Sequence, residues 1–176
     1  MIEIYDKEEE KIINELSNLE IQAFNNLTFN ISGYPHRIKH KNRLIHYLDT
    51  MHENKKYFDD TFKIKEEDKE LVDKVLTFVE NFSQNNFKKK ITPIYSVLSA
   101  YEMFKNIQPF IEEVRKNKKV KIFEIGPGSG ILGIMLNLKY EDVCYASTDN
   151  SQAFYILQSS LYKDLDNNFS EHLIEK

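Results

Sequence analysis

Four residues in the second half of the chain have the types and the spacing needed to hold a ligand that carries a ribose. Gly126, Gly128 and Gly130 form a Gly-x-Gly-x-Gly turn directly after a short apolar run. Glycine tolerates positive φ and has no Cβ, so a ligand can approach the backbone closely at such a turn. Asp149 follows about 20 residues after the last glycine, the offset at which a carboxylate binds the hydroxyls of a ribose. The same carboxylate would repel a 2′-phosphate.

Two strand–helix units are expected to position these residues. The stretch 120–125 contains a short, partly β-branched set of apolar residues, as a parallel strand buried on both faces requires: Val120, Ile122, Phe123 and Ile125. A helix is predicted over about 131–139, directly after the glycine turn. A second apolar run, 143–146, leads to Asp149, and a last helix is predicted over about 151–163. The turn and Asp149 therefore each follow the end of a strand.

These residues resemble the first two cofactor motifs of the Rossmann-like methyltransferases that use S-adenosylmethionine. The resemblance covers about 119–163 and is carried by Glu124-Ile125-Gly126-Pro127-Gly128-Ser129-Gly130, a helix, a strand and Asp149. It implies an α/β fold in which an N-terminal helical segment precedes the first half of a doubly wound parallel sheet. Within the superfamily the stretch also resembles sugar O-methyltransferases, which implies a small-molecule acceptor such as a sugar hydroxyl.

The resemblance assigns a part of the cofactor to each residue of the motif. The backbone of the whole turn, including the two residues between its glycines, would lie against the methionine and ribose parts. Glu124 would approach the amino group, directly or through water, and Asp149 would bind the ribose hydroxyls. Asn150 or Ser151 would line the adenine pocket, and either one could cap the following helix. Later strand ends usually supply the base in this superfamily, so no catalytic residue is assigned.

Other interpretations of the same residues remain open. A glycine turn after a strand can serve only the close packing of helix on strand, and Glu124 can cap the next helix through its free N–H groups. A short-chain NAD-dependent oxidoreductase could use the glycines and Asp149. However, this chain has Ile131 where the dinucleotide fingerprint requires its third glycine. A non-catalytic binding or assembly module is a further alternative.

Composition and charge argue against several classes of function. The 176 residues are 41% hydrophobic, which is typical of a globular chain, and the net charge of −4 argues against nucleic acid as the main partner. No apolar run approaches the ~20 residues that cross a bilayer, and the N-terminus lacks the features of a signal peptide. We therefore expect a cytoplasmic protein with no membrane partner. The single cysteine, Cys144, excludes an internal disulfide and is expected to be a small buried hydrophobe.

Apolar residues at helical spacing predict an N-terminal helical region, 1–90, ahead of a cofactor domain, 91–176. The stretch 83–90 is polar and then basic, and it marks the boundary between the two. The stretch 53–65 has no clear period and is predicted to be a loop. Helices are predicted over about 6–27 with a capping box at Asp6, over 39–54, over 66–83, and from Thr92 as N-cap and Pro93 as first residue to a basic end at 115–119, with a kink or restart at Pro109.

Four histidines lie in or near the second predicted helix, but a metal site there is not favoured. His36 and His40 are one helical turn apart, and His46 and His52 follow. The intervening lysines and arginines would repel a cation, and neither a cysteine nor a carboxylate stands at ligand spacing. The simpler interpretation of these basic residues is a solvated helix face. The more specific interpretation is a binding site for an anionic acceptor. Three of them, His36, His40 and His46, could also contribute through a helical cap over the pocket.

The predicted sheet is too small for a complete doubly wound fold. Two strands are expected, and one long side of the first strand would have no covalent neighbour, which leaves unpaired backbone groups and a bare apolar face. A few hundred Å² of uncovered apolar sheet corresponds to several kcal/mol at roughly 25 cal/mol per Å². We therefore expect the N-terminal portion of a longer methyltransferase, inactive by itself. Another copy of the chain, or the N-terminal helices, would cover the exposed edge.

Overall fold

The computed structural model describes residues 2–14, 17–18, 40–50, 55–149, 151–166 and 168–171. The elements follow in the order α1 (Ile2–Ile13), a 3-10 helix (Lys41–Tyr47), α2 (Lys55–Thr61), a single 3-10 turn (Glu66–Asp68), α3 (Lys69–Phe87), α4 (Ile94–Arg115), β1 (Lys121–Ile125), α5 (Ile131–Lys139), β2 (Cys144–Thr148) and α6 (Gln152–Leu165). Among these helices, none is both long enough and apolar enough to span a bilayer.

Strands β1 and β2 are parallel, and they pair from Lys121 opposite Cys144 to Ile125 opposite Thr148. Helix α5 makes the crossover between them, as parallel pairing requires. These two strands form the only sheet within the described ranges. The predicted α/β architecture, with a helical segment ahead of a small parallel sheet, is confirmed. The predicted bounds of both strands and of α5 are also confirmed to within about two residues.

The two faces of this sheet differ in their exposure. Glu124 and Tyr145 lie on the half-buried face, while Phe123 and Ile125 lie on the other face and are 64% and 78% exposed. No element in the described part of the chain covers this second face. The prediction that the first strand is buried on both faces is therefore wrong for one face. The prediction that Cys144 is buried is also wrong, because its side chain is exposed on the same side as Phe123.

Helix α5 is the centre of the hydrophobic core because its first six residues are all buried. It packs against α3 and α4 on one side and against β2 on the other. The core continues without a break from Val75 of α3 through Phe104 of α4 to Leu157 of α6, and all three residues are fully or almost fully buried. The division of the chain at residue 90 stays a prediction, although the two predicted regions share this one core.

The N-terminal elements differ most from the predictions. Helix α1 begins at Ile2 rather than at residue 6, so Asp6 lies inside the helix and does not cap it. Most of the predicted helix beyond residue 14 lies outside the described residues. The segment Lys41–Tyr47 is a 3-10 helix rather than part of an α-helix. The predicted loop 53–65 contains α2, which buries Phe58 against the ring of Phe62.

The two long helices were predicted with small errors at their ends. Helix α3 continues to Phe87 and closes at Lys88, which adopts the left-handed conformation with φ of 56°. Helix α4 begins one residue later than predicted, with Pro93 as its N-cap. It runs through Pro109 as one continuous helix, so neither a restart nor a new element begins there. Both helices pack against α5, and α5 in turn fixes the position of the glycine turn at its N-terminal end.

Candidate functional site

The glycine turn leaves β1 at Ile125 and enters α5 at Ile131, and all three of its glycines have positive φ. The Gly126 N–H donates to the Thr148 carbonyl at 2.8 Å, which extends the parallel pairing one residue beyond the strands. A Cβ placed on Gly126 or Gly128 would meet no atom within 4 Å, so the backbone there borders open space. A Cβ on Gly130 would lie 2.6 Å from Tyr162 Oη. The first two glycines therefore face an open surface, and the third permits close packing by α6.

Asp149 lies directly beside this turn. Its Oδ2 accepts a hydrogen bond from the Gly128 N–H at 3.3 Å, and its Oδ1 accepts one from the Ser151 N–H at 2.9 Å. The first bond joins the end of β2 to the turn after β1, and the second shapes the start of α6. The two parts of the predicted motif, which are far apart in sequence, are thus in direct contact in the fold.

Glu124 lies below the turn on the buried side of the sheet and accepts a hydrogen bond from the Tyr145 hydroxyl. Burial raises the pKa of the Glu124 carboxyl, and the Tyr145 hydrogen bond lowers it by a smaller amount. Tyr162 lies behind Tyr145 and donates from its hydroxyl to the Gly130 carbonyl at 3.0 Å. Burial raises the pKa of Tyr162 to about 12 and also raises that of Tyr145, so both phenols remain protonated donors near neutral pH. Glu124 hydrogen-bonds a tyrosine of the neighbouring strand, which disfavours the alternative in which it caps α5.

Ser151 is the N-cap residue of α6, as predicted, but its hydroxyl makes no capping hydrogen bond. The side chain is 9% exposed, and its Oγ has no hydrogen-bond partner within the described residues. A buried hydroxyl without a partner costs about 1–3 kcal/mol, so such a group commonly marks the position of a ligand or an ordered water. The other predicted adenine-pocket residue, Asn150, lies outside the described residues. Pro127 and Ser129 are half-buried in the turn.

The structure supports no metal site in the ranges that it describes. No group of three or more potential ligands comes together there. His40 is the N-cap residue of the 3-10 helix and His46 lies in its last turn, while His36 and His52 lie outside the described residues. The predicted contribution of His36, His40 and His46 to a cap over the pocket stays a prediction.

Three residues of the site were not predicted from the sequence: Tyr145, Gln158 and Tyr162. Gln158 Nε2 donates to the Gly128 carbonyl at 2.7 Å and to Asp149 Oδ2 at 3.3 Å. Gln158 and Tyr162 are four residues apart, which puts them on one face of α6. That spacing, together with a polar residue in an otherwise apolar stripe, is the sequence signal that could have identified them.

The comparison with family models agrees with this geometry. Residues 71–173 match the model of the family described as lysine methyltransferase, a range that extends from α3 past the end of α6. The chain belongs to this lysine methyltransferase family. No curated protein and no solved structure matches the chain. Membership confirms the predicted resemblance to methyltransferases in general and disfavours the NAD-dependent oxidoreductase. The narrower resemblance to sugar O-methyltransferases stays a prediction.

Proposed function

We propose that the chain binds S-adenosylmethionine at the turn 126–130 and at Asp149, and that it serves the transfer of the cofactor's methyl group to the ε-amine of a lysine. The observation that carries the proposal is the contact between Gly128 and Asp149 beside an open backbone surface. The description of the matched family supports lysine as the acceptor. The sugar hydroxyl predicted from the sequence remains the alternative acceptor.

The carboxylate of Asp149 fits the ribose of this cofactor. A carboxylate offers about four positions for hydrogen-bond donors. Three are used by described residues, and two of these bonds, from Gly128 and Gln158, are long at 3.3 Å. Long hydrogen bonds are weak, so the two hydroxyls of a ribose can compete with the Gly128 bond and take the free position. The negative charge disfavours a ligand with a 2′-phosphate.

The two ends of the cofactor meet suitable groups on either side of Asp149. At the adenine end, the Ser151 hydroxyl, which has no partner among the described residues, can donate to or accept from a polar ring edge. We keep Asn150 in the proposed pocket because it lies between Asp149 and Ser151 in the sequence. At the amino acid end, Glu124 has one oxygen engaged by Tyr145. The other is left for the cationic amino group, which would stabilise the ionised carboxylate.

When bound, the cofactor would supply an electrophilic methyl group on a sulfonium, and attack by the acceptor nitrogen would release S-adenosylhomocysteine in one step. The residues of this chain bind and orient the donor. Alignment of two reactants in this way contributes up to about 7–11 kcal/mol to lowering a barrier. A lysine ε-amine attacks in its neutral form, so its proton must leave before or during the transfer. No described residue is assigned as the group that accepts it.

Calorimetric titration with S-adenosylhomocysteine, S-adenosylmethionine and NAD tests the cofactor site. We expect the first two to bind and the affinity to fall by tenfold or more in Asp149→Ala, because the ribose loses its charged acceptor. Asp73→Ala is the matched control, since Asp73 is exposed on α3 outside the proposed site. Binding of NAD alone would overturn the proposal, and binding of none of the three would favour the non-catalytic module.

The acceptor is tested with S-adenosylmethionine that carries a radioactive methyl group. The chain is incubated with a cell extract from which endogenous cofactor has been removed, and protein and small molecules are then separated. Label recovered as methyl-lysine after hydrolysis of the protein fraction supports the proposal. Label in a sugar fraction would support the O-methyltransferase alternative instead. Absence of label from both fractions would agree with the prediction that the chain is inactive by itself and would contradict methyl transfer by this chain.

A further inference from the structure

We propose that Gln158 is the positioning residue of the cofactor site, which holds Asp149 and the glycine turn in the arrangement that binds ribose. The inference rests on the proposed function and adds a residue that neither the motif nor the family description contains. Gln158 lies in the middle of α6 and is 3% exposed. An uncharged amide at such a position must form its hydrogen bonds within the protein.

Both ends of the Gln158 amide are used, and they join three separate segments. Nε2 donates to the Gly128 carbonyl at 2.7 Å and to Asp149 Oδ2 at 3.3 Å. Oε1 accepts from the Ser147 hydroxyl at 3.2 Å. The amide therefore links the turn after β1 and the end of β2 to α6. Because it binds both Gly128 and Asp149, the amide fixes the distance between them. It does so from the side of the turn that faces α6, away from the open surface.

The chemistry of this position favours glutamine over its nearest relatives. Nε2 carries two hydrogens, one for each of its two acceptors. Glutamate would place a second carboxylate beside Asp149 and against a carbonyl oxygen, which repel each other. Asparagine has the same amide, but its side chain is one methylene shorter. Leucine has a similar volume and no donor, so it would leave the Gly128 carbonyl and Ser147 without their partner.

Gly130 is the reason that Gln158 can come this close to the turn. A Cβ on Gly130 would lie 2.9 Å from Gln158 Cγ, nearer than real Cβ atoms approach another carbon. The absence of a side chain at Gly130 therefore admits the glutamine below the turn. The third glycine of the motif and the buried amide are two halves of one packing arrangement.

A role in positioning makes a prediction that a purely structural role does not. When ribose replaces the bond from Gly128, the Gln158 amide still donates to Asp149 Oδ2, and its 2.7 Å bond to the Gly128 carbonyl keeps the amide itself in place. Loss of the amide should therefore reduce the part of the binding affinity that comes from the ribose hydroxyls. A general weakening of the fold would lower the affinity for all related ligands by the same factor.

The test compares S-adenosylhomocysteine with its 2′-deoxyribose analogue by calorimetry. In the wild-type chain we expect the analogue to bind about tenfold or more weakly, the usual consequence of removing a hydrogen bond to a charged group. In Gln158→Leu we expect this ratio to fall to about twofold or less. In the matched control Gln152→Leu the ratio should be unchanged. Gln152 is a second buried glutamine of α6. It is the first residue of that helix, and its Nε2 donates to Asp6 of α1.

Ser147→Ala provides a second variant if Gln158→Leu does not fold. It removes the donor to Gln158 Oε1 and leaves the amide less well oriented, so the ratio should lie between those of the wild type and of Asp149→Ala. A wild-type ratio in both variants, together with loss of the ratio in Asp149→Ala, would overturn this inference and leave the proposed function intact. A wild-type chain that binds neither ligand would overturn both.

Discussion

The hydroxyl of Tyr145 donates to Oε2 of Glu124, so the two strands are joined below the glycine turn by their side chains as well as by their backbones. Glu124 is thus held on the half-buried face of the sheet, two residues before the first glycine of the turn. This contact places an ionisable carboxyl where burial works against its charge. The same position brings it near the proposed amino end of the cofactor.

Glu124→Gln is expected to stabilise the fold near neutral pH and to weaken cofactor binding. Burial raises the pKa of the Glu124 carboxyl. A carboxyl whose pKa is higher in the folded state than in the unfolded state contributes to the free energy of unfolding. This contribution is complete at a pH below the unfolded-state pKa and is lost as the pH rises through the folded-state pKa. The neutral amide removes that loss, so we expect a gain of about 1 kcal/mol or less at pH 7, after allowance for partial solvent exposure. Denaturant unfolding at pH 7 and pH 4 measures it.

The contrast between the two pH values is the control for Glu124→Gln. The gain should disappear at a pH below the unfolded pKa, because the wild-type carboxyl is then protonated in both states. Affinity for S-adenosylmethionine, measured at pH 7, should fall even though the fold is more stable. An equal gain at both pH values would show that packing rather than ionisation is responsible.

Gly130→Ala is expected to destabilise the chain more than Gly128→Ala. Both positions have positive φ, of 75° and 60°, which costs an alanine about 1–2 kcal/mol. Gly130 carries an additional cost of about 1–3 kcal/mol because its Cβ would press on Tyr162 and Gln158. Thermal or denaturant unfolding of the two variants measures the difference. Gly128→Ala should reduce cofactor affinity with little additional loss of stability, and equal stabilities would contradict the close packing at Gly130.

The site shows which parts of a fold are visible in a sequence. The turn, its strand and the acidic residue were predicted, because glycine spacing, a short apolar run and a fixed offset are local features. Gln158 and Tyr145 were not, because their roles depend on which helix face and which strand face meet in the folded chain. Glu124 was predicted as a site residue, but its contact with Tyr145 arises only from the register of β1 with β2.

The errors in the fold have physical causes of the same kind. The helix Lys55–Thr61 was predicted to be a loop because seven residues are too few to show a helical period. Tertiary contacts stabilise it: the ring of Phe58 packs on that of Tyr95, and Lys55 Nζ donates to the Tyr95 hydroxyl. Within the helix, Lys55 also pairs with Asp59, four residues later. The first strand was predicted to be buried on both faces because its apolar residues fall on both sides of the strand: Val120 and Ile122 on one, Phe123 and Ile125 on the other.

Lys105→Met is expected to destabilise the chain by about 2–4 kcal/mol, because it leaves a buried carboxylate without its cation. Asp68 is 2% exposed, and its Oδ2 lies 2.9 Å from Lys105 Nζ and accepts from the Tyr101 hydroxyl at 2.8 Å. Burial alone would raise the pKa of Asp68, but these two hydrogen bonds and the nearby lysine charges together outweigh it and hold the pKa below its usual value. Denaturant unfolding at pH 7 measures the loss.

The pH dependence of the wild-type chain provides a further check on the Asp68 pair. A lowered folded pKa gives stability that is present above the unfolded pKa and is lost as the pH falls through the folded pKa. Asp68→Asn should therefore show a flatter fall in stability between about pH 5 and pH 2 than the wild type does. The double variant Asp68→Asn with Lys105→Met should lose less than Lys105→Met alone. A larger loss in the double variant would contradict an ion pair at this site.

Phe123→Ser and Ile125→Thr test whether the open face of the sheet is covered in solution. Both side chains are more than half exposed, so in a monomer their replacement should change the free energy of unfolding by about 0.5 kcal/mol or less. If a second copy covers this face, which is one of the two coverings predicted from the sequence, the wild-type chain should sediment as a dimer and the variants as monomers. Sedimentation over a range of concentrations separates these cases. A wild-type chain that stays monomeric and unfolds cooperatively would contradict the predicted covering by another copy.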